Sequence, residues 1–243
     1  MEFRYEDFTF KPDPSLGRAR RILIKPCAYQ GEPYPVSTSP DILRKIIEGI
    51  RQVSEADIVI IDSTPDGSPI RPVYKKLGYD FPGVLMLDVR DAIVIDVENP
   101  LLKPLAVSSF MVPNVIISSD YLISVAPLKV VDGLSSMSLM NLLSLLPGPK
   151  YGDGSQGGWE SLYELDIVKV IVDLYFTIPF DLGVVEAKQK LITSRDGSII
   201  GTEDIGKVFI GEPFEVDFEV SSKFNLDAPY LNIIEEARGE LDP

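Results

Sequence analysis

The feature that most constrains the fold is a strand–helix–strand order packed into about 43 residues, from Arg20 to Asp62. RRILIKP, Arg20 to Pro26, is a short apolar run that reads as a buried strand. After a loop containing Pro33 and Pro35, Ser37-Thr38-Ser39 leads into a helix start. Ser39 supplies an N-cap, Pro40 the first helical residue, and Asp41 an acid near the positive helix end. Ile42, Ile46, Ile50 and Val53 then recur at helical spacing, with Arg44, Lys45, Glu48 and Arg51 elsewhere on the helix. ADIVIID, Ala56 to Asp62, is a second strand, closed by the turn residues of DSTPDGSP. Such a unit is expected to form a right-handed crossover, with its helix packed on a parallel sheet.

The rest of the chain continues the alternation. RPVYKKLGYD suggests a short helix ending near Gly78. GVLMLDV and AIVIDVENP read as strands, hairpin-like around Arg90-Asp91, and residues 105–128 add apolar segments ending in YLISVAPL. Ser135 to Leu146 reads as helix, and Pro147 to Gly158 (PGPKYGDGSQGG) as a flexible loop, either a lid or a surface connection. A helix over Trp159 to Ile178 carries Ile167, Ile171, Leu174 and Ile178 on one stripe. DLGVVEA is a strand, GSIIGTEDIG reads as turn, and KVFIG is a last strand. PFEVDFEVSSKF and APYLNIIEEARG close the chain as helices. This order predicts a single α/β domain over residues 1–243: a mostly parallel or mixed sheet with helices on both faces, with room for two lobes around a cleft.

Composition acts mainly by exclusion. The net charge of −14 repels phosphate backbones and argues against a nucleic-acid partner. There is no histidine, which removes Ser-His-Asp and Cys-His catalysis and every His-ligated metal or haem. Cys27 is the single cysteine, so the chain alone cannot ligate an iron–sulfur cluster or close an internal disulfide. One cysteine, no visible signal peptide and no apolar run near the roughly 20 residues that span a bilayer lead to the expectation of a cytoplasmic protein off the membrane. Five asparagines, four glutamines and 20 prolines suit a thermophile.

Open parallel sheets bind ligands beyond the carboxyl ends of their strands, which selects two loops here. Lys25, Ser37, Thr38 and Ser39 follow the first strand and combine a cation, hydroxyls and a helix N-terminus suited to a carboxylate or phosphate. A plain helix cap beside a surface lysine is the alternative. Asp62, Ser63, Thr64, Asp66 and Gly67 follow the second strand and could accept a ligand hydroxyl or hold Mg²⁺, although a capped turn is the more common outcome for such residues. Neither loop carries a nucleotide-binding glycine fingerprint. Lys129 follows an apolar strand, where burial would suit it to acid–base work, and Asn141 lies on the segment after it. Asp217, in EVDFEV, is expected to be partly buried, with a lysine as one fitting partner. Met137 and Met140 suit core packing.

Four segments in order, ILIKP…VSTSPDILRKIIEGI, ADIVIIDSTPDG, YLISVAPLK…LMNLLSLLP and GKVFIGEPFEVDFEVSSKFNLDAPYLNIIEEA, resemble the Domain of Unknown Function 362 family over residues 20–238. The family's first strand usually reads K-P-N, matched by Lys25-Pro26 before Cys27, and its T-x-P helix entry is matched by Thr38-Ser39-Pro40. Its P-K-L-K-T-H motif keeps its second lysine at Lys129, while Val130-Val131 replace Thr-His. In the following T-G-A-L-K-N-L motif, Ser136 and Asn141 fit the Thr and Asn, and Met140 replaces the lysine. The late G-x-D-P and V-x-V-D motifs are approximated by Gly211-Glu212-Pro213 and Val216-Asp217.

The resemblance implies an α/β fold and a site near Lys129 and Asn141. It also implies a remote likeness to the nickel-dependent lactate racemase group, whose histidine ligands this chain cannot supply. Some family members are fused to ferredoxin modules, so an electron-transfer role here would require a cluster-bearing partner chain. The expected function is a small-anion-binding protein with catalysis reduced or absent, homo-oligomeric assembly being compatible with it. The alternative is an isomerase or redox-associated enzyme acting on a small carboxylate or phosphorylated metabolite. Lys129 and Asp217 are then the catalytic candidates, and Lys25, Thr38, Ser39, Asp62, Ser63 and Asn141 the ligand-binding ones.

Overall fold

In a computed structural model, the structure describes residues 1–28, 31–152, 158–178, 180–194 and 196–241. In chain order the strands and helices are β1 (Glu2–Arg4), β2 (Arg21–Pro26), α1 (Pro40–Arg51), β3 (Asp57–Asp62), α2 (Arg71–Leu77), β4 (Val84–Asp88), β5 (Val94–Glu98), β6 (Ser109–Pro113), α3 (Asn114–Ile117), β7 (Tyr121–Val131), β8 (Leu134–Ser136), α4 (Gly148–Tyr151), α5 (Glu160–Glu164), α6 (Ile167–Thr177), β9 (Leu182–Thr193), β10 (Ile199–Gly211), α7 (Pro213–Phe224) and α8 (Pro229–Leu241). The main sheet has eight strands in the order β1-β10-β9-β7-β2-β3-β4, with β8 paired to β7. β9, β7, β2, β3 and β4 run parallel, while β10 and β8 are antiparallel to their neighbours. β5 and β6 form a separate antiparallel pair.

The first crossover forms as its sequence dictates. Ser39 caps α1 by accepting from Ile42 N at 3.2 Å, Pro40 and Asp41 occupy the first turn, and β2 pairs in parallel with β3. α2 stops where Gly78 adopts φ 75°. The sheet then carries a core on each face, because strands buried on both sides must cover both. Ile42, Leu43, Ile46 and Ile50 of α1 pack with Ile22, Ile24, Ile58 and Ile60 on one face. On the other, Leu23, Ile61 and Val185 meet Leu142, Leu145, Ile171, Val216 and Ile234, and Met137 and Met140 join this core. No helix among the described residues is long and apolar enough to cross a membrane.

Several expected elements differ. β4 and β5 are not a hairpin: β4 extends the main sheet beside β3, and Asp88, accepting from Ile70 N and Arg90 N, turns the chain away. Residues 135–146 are not one helix. Asp132 and Gly133 take positive φ values of 51° and 86° and start β8, and a 3-10 helix spans Met140–Leu145. The expected helix over Trp159 to Ile178 breaks at Asp166, where φ is 78° and the side chain caps α6 through Val168 N. Most of GSIIGTEDIG is strand: after the turn at Gly197, Ile199 to Gly206 belong to β10, whose register shifts at Ile199/Gly201 and Asp204/Lys207 accommodate Gly201 and Gly206 as bulges. The polar N-terminus adds β1 to the edge of the sheet. Of the expected flexible loop, residues 148–151 form α4, and residues 153–157 lie outside the described residues.

Gly49 shows how closely the N-terminal segment is packed on α1. A Cβ there would meet Phe10 O at 2.5 Å and Phe10 Cδ1 at 2.8 Å. Alanine in a helix interior ordinarily gains about 1 kcal/mol over glycine, but a backbone carbonyl cannot rotate out of the way, and overpacking costs about 1–3 kcal/mol. Gly49→Ala is therefore expected to lower the urea midpoint. An unchanged or raised midpoint would show that the Phe10 segment yields.

Candidate functional site

The carboxyl ends of β2 and β3 converge with Ser124, near the start of β7, on a closed polar network. Lys25, the penultimate residue of β2, points its ammonium at three acceptors: Asp62 Oδ1 at 3.0 Å, Asn141 Oδ1 at 2.9 Å and Pro26 O at 2.6 Å. Lys25 and Asp62 are both 0% exposed. Asp62 also accepts from Ala28 N at 2.7 Å, Ser63 N at 2.9 Å and Ser144 Oγ at 2.6 Å. Asn141 returns its amide to Lys25 O and Ser124 Oγ, each at 3.1 Å. Ser63 donates to Ser144 O at 2.7 Å. Ammonium donors and carboxylate oxygens are thus matched internally, as buried charge requires.

Thr38 and Ser39 lie on the α1 side of the sheet. Thr38 Oγ1 accepts from Cys27 N at 2.8 Å and donates to Val125 O at 2.7 Å, tying the end of β2 to β7. Lys129, within β7 and not beyond it, is 4% exposed, with Nζ 3.2 Å from Cys27 Sγ and 3.3 Å from Val36 O. Ser37, 1% exposed, has an Oγ with no hydrogen-bond partner among the described residues.

Asp217 is fully buried on the opposite face, in α7. The lysine considered as its partner is replaced by Ser138 Oγ at 2.6 Å, Ser138 N and Leu139 N at 3.0 Å each, and Tyr230 OH at 3.4 Å. Ser138 O accepts from Ser124 Oγ at 2.7 Å, so Asp217 connects to Lys25 through Ser138, Ser124 and Asn141.

Glu186 of β9 escaped the sequence reading, though a glutamate inside VVEA is the kind of interruption that would have flagged it. It is 0% exposed, and its carboxylate accepts from Ser39 N at 2.9 Å and Ser39 Oγ at 2.5 Å, at the start of α1. Tyr34 OH donates to Gln189 O at 3.1 Å and accepts from Gln189 N at 2.6 Å, holding the loop before α1 against β9.

Two cavities, of about 250 and 310 Å³, lie at the opposite ends of the strands. The first is lined by Arg20, Arg21, Asp57, Ser118 and Asp120, and the second includes Gly83, Leu85 and Val115. At the first, Asp120 is already occupied by the backbone N–H groups of Arg20 and Arg21.

Burial raises the carboxyl groups of Glu186 and Asp217 from their ordinary values to about 7, against the lowering effect of their hydrogen bonds. The folded chain therefore keeps protons that the unfolded chain has released by about pH 5. Stability contributed in this way is full below the ordinary carboxyl values and is lost as pH rises through about 7, on the order of 3 kcal/mol per group. The lowered carboxylates, such as Asp13, Asp120 and Asp196, act only at more acidic pH. The urea midpoint is expected to fall between pH 5 and pH 8. Glu186→Gln or Asp217→Asn should each flatten part of that fall, and a midpoint that is flat or rises with pH would contradict it.

The nickel centre suggested by the remote likeness has no fitting ligand set. The sequence has no histidine, and among the described residues no three Cys, Asp or Glu side chains are grouped to hold a metal. No curated protein matches the chain in sequence. Its structure is similar to that of the lactate racemase apoprotein from Thermoanaerobacterium thermosaccharolyticum, with a TM-score of 0.52 and 12% identity over 89% of this chain and 52% of that chain. The chain spans about half the length of that protein, and the likeness concerns the fold. The family described as Domain of unknown function (DUF362) matches residues 22–218, and the chain belongs to that family.

Proposed function

We propose that this chain binds a small oxyanion at the carboxyl ends of its strands and that its catalytic capacity is reduced or absent. The ligand is held on the α1 side of the sheet, at the helix N-terminus, with Lys129 as the counter-charge. Ser37 carries this reading: its buried hydroxyl has no partner among the described residues, a state that costs about 1–3 kcal/mol, and it immediately follows Val36, whose carbonyl accepts from Lys129. An oxyanion beside it would give that hydroxyl an acceptor, while the helix N-terminus and a nearby lysine favour negative charge.

Reduced catalysis is supported by what has happened to the other polar groups. The Lys25 ammonium is shared among Asp62, Asn141 and a backbone carbonyl, so it is committed to the fold. Val130 and Val131 stand where the resembling sequences carry Thr-His, and Met140 stands in place of a lysine. Apolar residues at those positions can neither transfer a proton nor polarise a bound group.

Sulfate is a suitable probe because its charge is constant near neutrality. It is expected to raise the thermal midpoint of the wild-type chain in a saturable manner, as any ligand selective for the folded state does. Lys129→Met should weaken that binding about tenfold, which corresponds to about 1.4 kcal/mol. No saturable shift with sulfate, or equal shifts in wild type and Lys129→Met, would remove the basis for this reading.

A further inference from the structure

We propose that the Glu186 carboxylate is an internal occupant of the anion site at the N-terminus of α1, so that binding of an external oxyanion is coupled to protonation of Glu186. This rests on the binding reading above and names what its ligand must displace.

The geometry is that of a bound anion. One carboxylate oxygen takes a backbone N–H at the helix start, and the other takes the Ser39 hydroxyl. These are the donors that a helix N-terminus offers to a carboxylate, sulfate or phosphate. The helix spans 12 residues and has its own side-chain cap, since Ser39 Oγ also accepts from Ile42 N, so the glutamate is an additional occupant. The partnerless Ser37 hydroxyl lies two residues before the cap, buried in the same segment.

Among the described residues the hydrogen bonds to the Glu186 carboxylate come from Ser39 and Tyr5, and none of them from a cation. Tyr5 faces it from the N-terminal segment, Tyr34 from the loop before α1, Tyr79 from the turn after α2, and Lys188 from β9. Asp41 in the first turn of α1 adds a like charge near Tyr5. Lys129 is two residues along β7 from Pro127, the residue paired with Glu186. A second anion cannot share the Ser39 donors with an ionised carboxylate, because two negative charges at contact distance repel. An incoming oxyanion takes over the Ser39 N–H and hydroxyl bonds. Glu186 takes one proton from solvent and remains buried as a neutral acid.

The absence of histidine makes this coupling readable, because few other groups titrate between pH 6 and pH 8. The test is calorimetric titration of the full chain with sulfate at pH 6 and pH 8, in two buffers that differ in ionisation enthalpy. With Glu186 titrating at about 7, the wild type should bind sulfate about tenfold more tightly at pH 6 and take up close to one proton per sulfate at pH 8. Glu186→Gln should bind at pH 8 as tightly as the wild type does at pH 6, without proton uptake. Asp217→Asn, altered on the other face, should keep the wild-type coupling. The wild-type proton count is decisive even if a variant fails to fold. Sulfate binding that is independent of pH and takes up no proton overturns the coupling but leaves the binding reading standing. Coupling that survives Glu186→Gln, or disappears in Asp217→Asn, assigns the proton elsewhere and overturns the proposal. No sulfate binding at either pH overturns both.

Discussion

The buried ion pair between Lys25 and Asp62 sets the terms for the carboxyl end of the sheet. Two opposite charges at 0% exposure incur a desolvation cost that their attraction offsets only if every remaining donor and acceptor is satisfied. The surroundings meet that condition from three separate pieces of chain. The turn after β2 offers the Ala28 N–H, the turn after β3 the Ser63 N–H, and the 3-10 segment the Asn141 amide and the Ser144 hydroxyl. The pair therefore holds those loops in place, and the loops in turn determine where a ligand can approach.

The two faces of the sheet consequently differ at their carboxyl ends. On the 3-10 side, polar groups run continuously from Asp62 through Lys25, Asn141, Ser124 and Ser138 to Asp217 and Tyr230. Such a chain rigidifies the core, and its hydrogen bonds strengthen one another. On the α1 side lie a helix N-terminus satisfied by a glutamate and a serine hydroxyl with no partner among the described residues.

Much of this was legible in the residues. The apolar strand, Ser-Pro-Asp helix entry and second apolar strand leave a βαβ crossover as the only economical arrangement, and Lys25 and Asp62 follow from being the last polar residues of two adjacent strands. That they face each other was not legible, because it depends on Asn141 and Ser144 arriving from a distant segment. Glu186 stands out as a charge inside VVEA, but strand periodicity assigns a face and not the helix end lying above it. Residues 135–146 have a helical pattern, yet residues 134–136 pair with β7 as β8, and Met140–Leu145 coil as a 3-10 helix. The β10 glycines read as turns because a bulge and a turn share the same composition and differ only in the partner strand.

A double-mutant cycle on Lys25 and Asp62, measured by urea denaturation, tests the central claim most directly. Lys25→Met leaves a buried carboxylate without its cation, and Asp62→Asn leaves a buried ammonium without its anion, so each single change should cost about 3–5 kcal/mol. The double variant should be more stable than the sum of the singles implies, with a coupling of about 2 kcal/mol or more. Additive losses would mean that the two charges do not depend on each other, and the closed network would then not be what organises this end of the sheet.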